Sequence, residues 1–117
     1  MQVLLVEIGE NPRILEIDGS LDSMQKIVCG HLEAIYPYKD QVAIVCNEEG
    51  KLNGLPLNRT IYDSEGNYID VIAGTFFMIG LGEEDFIDFP AKLFNKYSSL
   101  FMQQKSFIFS QIVRDCL

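Results

Sequence analysis

The chain has 117 residues, 48% hydrophobic and 22% charged, with a net charge of −8 from 17 acidic and 9 basic residues. That composition excludes wholesale disorder, and the shortage of clustered Lys and Arg argues against direct binding to a nucleic-acid backbone. The length suits one compact domain over 1–117, and the longest apolar run, Val71 to Leu81, is too short to cross a bilayer.

From the N-terminus, Val3 to Ile8 is aliphatic and β-branched and predicts a strand buried on both faces. Gly9-Glu10-Asn11-Pro12 supplies a turn, and Arg13 to Asp18 alternates as the hairpin partner. Ser20 is placed to accept a first-turn amide of a short amphipathic helix, Leu21 to Cys29. Gly30 stands where a left-handed helix cap belongs.

His31 to Tyr36 and Gln41 to Asn47 predict two further strands. Glu48-Glu49-Gly50-Lys51 reads as a turn with Gly50 at positive φ, and Asn53-Gly54 is a second turn signal. Pro56 makes Leu55 to Asn58 an edge strand or loop. Asp63 to Asn67 is a turn flanked by Tyr62 and Tyr68 at hairpin positions. Asp70 to Ile79 is the most apolar stretch, with Gly74 marking a bulge or close backbone approach.

The last third predicts a helix capped by Asp88, with Pro90 in its first turn. Its apolar stripe is Leu93, Phe94, Tyr97, Leu100 and Phe101. The expected fold class is α+β. A mostly antiparallel sheet carries a short helix after the first hairpin and a C-terminal helix packed on it, with both helices on one face.

The residues offer little catalytic chemistry. Cys29, Cys46 and Cys116 have neither disulfide nor zinc spacing and fit a reducing, cytoplasmic setting. The N-terminal stretch lacks the basic flank and cleavage site of a secretory leader. Cys46 has acidic neighbours, which disfavour a thiolate nucleophile. His31, the only histidine, has no second candidate ligand nearby. Asp63 to Asp70 lacks the spacing and closing Glu of a calcium loop, so no metal is expected. Neither Gly50-Lys51 nor Gly80-Leu81-Gly82 completes a phosphate-binding loop, so no cofactor is expected.

One polar set stands out between the apolar runs: Asn47, Glu48, Asn58, Arg59 and Asp70. It reads either as an Arg59–Asp70 clamp with asparagines satisfying turn backbone, or as the lining of a small polar ligand pocket.

Several stretches together carry a family likeness. They are Val3-Leu4-Leu5-Val6-Glu7, Glu16-Ile17-Asp18-Gly19-Ser20-Leu21, Glu33-Ala34-Ile35-Tyr36-Pro37 and Cys46-Asn47-Glu48-Glu49-Gly50-Lys51. Leu55-Pro56-Leu57-Asn58-Arg59 and Ile72-Ala73-Gly74-Thr75-Phe76-Phe77 complete the set. Over residues 2–105 the chain resembles a domain-of-unknown-function family of Gram-positive bacteria, their phages and their conjugative elements. The resemblance implies a mobile-element setting, often near antirestriction-type genes, and carries no catalytic residues.

Two functions follow as expectations. The first is a non-enzymatic protein-interaction module of a phage or mobile element, docking on a host protein with a basic surface in host interaction or defence evasion. The second is a small-ligand-binding or hydrolytic domain using the polar set. A homodimer formed through Phe107-Ile108-Phe109 is a further expectation.

Overall fold

The structure is a computed structural model that describes residues 1–102. The segment expected to form a dimer contact, Phe107-Ile108-Phe109, and Cys116 lie outside the described residues. In chain order the elements are β1 (Gln2–Val6), β2 (Arg13–Glu16), α1 (Leu21–Val28), β3 (Leu32–Ile35), β4 (Val42–Asn47), β5 (Leu57–Tyr62), β6 (Tyr68–Ala73), β7 (Phe76–Leu81) and β8 (Phe86–Ile87). A 3-10 turn (Ala91–Leu93) leads into α2 (Phe94–Met102).

The main sheet has the order β2-β1-β7-β4-β3, with β8 beside the far end of β7, and β5 and β6 form a separate two-stranded sheet. All pairings are antiparallel. The fold is therefore α+β, mostly antiparallel, with a short helix after the first hairpin and a C-terminal helix.

The three central strands are apolar on both faces, so both faces must be covered. Leu4, Val6, Val42, Ile44, Phe76 and Met78 point to one side and bury Tyr97 and Phe101 of α2, with Ile61 and Ile72 of the small sheet. Val3, Leu5, Ala43, Val45, Phe77 and Ile79 point to the other and bury Met24 and Val28 of α1. The helices thus lie on opposite faces, where the sequence reading put both on one. Each fully buried aliphatic or aromatic side chain contributes about 2 kcal/mol of transfer free energy.

Helix α1 starts as the sequence predicts. Ser20 Oγ accepts the Ser23 amide at 3.1 Å. Its end differs, because Cys29, not Gly30, takes the left-handed conformation, with φ 64°. Gly30 is required for a different reason: a Cβ there would lie 2.7 Å from the Asn47 side-chain amide. Gly50 likewise has no positive φ, and its Cβ would lie 2.7 Å from the Ala73 carbonyl.

The apolar stretch from Asp70 to Ile79 is two strands in two sheets. Gly74, with φ 87°, turns the chain from β6 into β7. Asp88 does not cap a helix. Its carboxylate accepts the Gln2 amide at 3.0 Å, tying β8 to β1, and Pro90 precedes only a 3-10 turn.

Candidate functional site

The five residues of the polar set divide into an interior pair and a surface group. The division begins with a break in the alternation of β5. Leu57 pairs with Ala73 and Arg59 with the next residue, Ile72, so Asn58 is an extra residue in the ladder. Such a bulge lets two consecutive side chains turn inward, and Asn58 and Arg59 are both fully buried.

Asn58 donates to the Val6 and Gly74 carbonyls, each at 2.9 Å, and so joins β1 to the corner between the sheets. Arg59 donates from Nε to the Phe101 carbonyl at 2.8 Å and from Nη2 to the Glu10 carbonyl at 2.7 Å. Its Nη1 donates to Asn58 Oδ1 at 2.6 Å. Burial pulls the guanidinium down to about 10, still far above neutrality, so it stays cationic. The expected Arg59–Asp70 clamp is absent. Arg59 is surrounded by carbonyl oxygens, and the Asp70 carboxylate pairs with the Lys51 ammonium instead.

Asn47, Glu48 and Asp70 do meet, around a cleft of about 400 Å³. Its walls are Glu33 of β3, Cys46 and Asn47 at the end of β4, the connection from Glu48 to Leu52, and Asp70 and Ala73 of β6. Asn47 is buried and occupied in holding this wall. Its amide donates to the Val28 and Cys29 carbonyls at 3.0 and 3.1 Å, closing the end of α1. Its Oδ1 accepts the Glu49 amide at 2.7 Å, fixing the turn.

The Cys46 thiol is pushed up to about 12, by burial first and by Glu33 and Asp70 next. It is therefore a thiol, not a thiolate, near neutrality. Glu33, Glu48 and Glu49 are exposed, and among the described residues none is ion-paired. The cleft therefore carries four carboxylates against one ammonium, Lys51, which Asp70 already holds.

A second cleft, of about 410 Å³, was not foreseen from the sequence. It opens between Tyr38, the turn of the small sheet (Tyr62, Asp63, Ser64, Gly66) and α2 (Lys96, Tyr97, Leu100). These residues come from three distant segments with no shared spacing, so no local pattern announces them. His31 lines neither cleft. No group of His, Cys, Asp or Glu suited to a metal ion occurs among the described residues, and none of their helices is long and apolar enough to cross a membrane.

Fold and clefts together define a small antiparallel α+β protein with two clefts, one lined by carboxylates and one lined largely by tyrosines. The chain belongs to the family described as domain of unknown function DUF3846, which matches residues 1–102. No curated protein and no solved structure matches it.

Proposed function

We propose that the protein is a non-enzymatic interaction module of a phage or mobile element, and that it engages a basic host protein in the cytoplasm. The observation that carries this reading is the cleft lined by Glu33, Glu48, Glu49 and Asp70 with a single, already paired lysine. Such a site favours a lysine or arginine side chain of a partner, whose charge complements the excess of carboxylates. The net charge of −8 adds long-range attraction for a basic surface. The alternative of a small-ligand or hydrolytic pocket built from all five polar residues has less support, because Asn58 and Arg59 are directed into the interior.

The test is titration of fluorescent Lys/Arg-rich peptides against the full chain, with charge-reversed peptides as controls. Basic peptides should bind, with affinity falling as salt rises. The double variant Glu48→Gln/Glu49→Gln should weaken binding about tenfold. Equal binding by this variant, or binding insensitive to salt, would remove the cleft from the function.

A further inference from the structure

We infer that the free edge of β3 docks an extended basic segment of a partner protein as a further strand of the main sheet, resting on the reading of the acidic cleft as a seat for partner cations. The main sheet ends in β2 and β3, and β3 pairs with β4 alone. Opposed residues of an antiparallel pair alternate between those that exchange backbone bonds and those that do not. The Glu48 amide donates to the His31 carbonyl at 2.9 Å, which sets the phase. With Leu32 opposite Asn47 and Ile35 opposite Ile44, Glu33 and Ile35 turn their backbone groups towards β4. Leu32 and Ala34 turn theirs outward, where no strand meets them among the described residues. A row of donors and acceptors of this kind is a template for one more strand.

Charge at the edge selects the occupant. Side chains alternate along β3, with Ile35 packed towards the core under α2 and Leu32 towards the core under α1. Glu33 shares a face with Ile35, and on that face it lines the acidic cleft with Glu48 and Glu49, which follow β4. An added strand sets every second side chain beside Glu33 at the cleft, a place suited to Lys or Arg. The side chains between them lie along Leu32 and Ala34, a place suited to aliphatic residues. The segment that fits therefore alternates basic and aliphatic residues.

The opposite edge, β2, has no such demand for cations. Arg13 pairs there with Glu7, and Glu16 with the N-terminal ammonium. A second copy of this chain also suits β3 poorly, because it would set its own Glu33 and a net charge of −8 against the same carboxylates.

The experiment titrates the ¹⁵N-labelled full chain with an acetylated heptapeptide alternating Lys and Val, and follows amide hydrogen exchange by NMR. In the free chain the Ala34 amide should exchange faster than those of Glu33 and Ile35. Saturating peptide should slow Ala34 about tenfold or more, with Kd of about 1 mM or tighter. A peptide of the same composition with its lysines in one block should bind about threefold more weakly or worse. In an added strand only every second peptide amide faces β3. Antiparallel addition requires that N-methylation of the valine amides weaken binding about tenfold or more and that N-methylation of the lysine amides be tolerated. The reverse pattern supports the same site with parallel addition. Equal binding of alternating and block peptides, or equal loss from both methylated sets, would overturn strand addition and leave the reading of the cleft standing. Absence of binding by every basic peptide would remove both. An Ala34 amide already protected in the free chain would show the edge covered by a second copy or by the chain itself, and would overturn the docking site.

Discussion

Arg59 Nε, in the two-stranded sheet, donates to the Phe101 carbonyl in the last described turn of α2 at 2.8 Å. The bond places a full positive charge against a buried backbone carbonyl of α2, a charge-assisted contact. The same guanidinium reaches Glu10 in the first hairpin, so one side chain fastens β5 to two parts of the chain, 42 and 49 residues away.

Arg59→Ala should therefore be severely destabilising. It removes four hydrogen bonds, three of them buried, leaves the Phe101 and Glu10 carbonyls without that donor, and opens a cavity. The expected loss is about 3 kcal/mol or more by urea unfolding. Arg59→Lys keeps the charge but cannot reproduce the fork, and should recover less than half of it. A loss below about 1 kcal/mol for the alanine variant would show that the fastening is not energetically important.

Asp70→Asn should behave in the opposite way. Its partner Lys51 is half exposed, and exposed ion pairs contribute about 0–1 kcal/mol. The contrast between these two variants, measured in the same urea series, distinguishes the observed arrangement from a clamp joining Arg59 to Asp70.

Gly30→Ala and Gly54→Ala separate two uses of glycine. Gly54 has φ 74° with nothing near its missing Cβ, so alanine there should cost about 1 kcal/mol of backbone strain. At Gly30 the φ is unstrained, but a methyl group would displace the Asn47 amide from the end of α1. We expect about 1–3 kcal/mol from that loss, and Asn47→Ala to cost about as much. Thermal unfolding of the three variants gives the comparison.

Acid should weaken the fold. The Ser20 backbone amide, with the Ser20 and Ser23 hydroxyls, holds the Asp18 carboxyl down at about 2, from an ordinary 3.8. Lys96 and Tyr97 hold Asp40 low, and Asn67 holds Asp63 low. A carboxyl with a depressed folded pKa stabilises above its unfolded value and loses that contribution as pH falls through its folded value. Stability should thus fall from near pH 4 towards pH 2, and Asp18→Asn should flatten part of that slope in pH-dependent denaturation. A flat profile would contradict these shifts.

Thiol labelling at pH 8 should be selective. Cys29 is exposed and Cys46 is buried, its thiol pushed up to about 12. Peptide mapping after brief alkylation should find Cys29 modified and Cys46 protected until urea is added. Equal rates would mean that β4 opens readily.

Local structure was largely legible in the residues themselves. The β1–β2 hairpin, the Ser20 cap, β4, the Tyr62–Tyr68 hairpin and the α2 stripe all follow from nearest-neighbour chemistry and side-chain periodicity. The errors share one cause. Gly30 and Gly50 looked like positions for unusual backbone, yet what excludes a side chain there is Asn47 and Ala73 from elsewhere in the chain. Gly74 looked like an irregularity within one strand, yet it is the corner between two sheets.

The sequence by itself determined that the chain builds an antiparallel α+β core and that Asn47, Glu48, Asn58, Arg59 and Asp70 are polar residues set among its apolar runs. Only the tertiary structure decided which of them face solvent. A single extra residue in β5 changes the phase of a period-two element, and with it Asn58 and Arg59 pass from a candidate site into the interior. The aromatic cleft was equally a matter of tertiary structure, because Tyr38, Ser64 and Lys96 are brought together by hydrogen bonds spanning 25 to 57 residues.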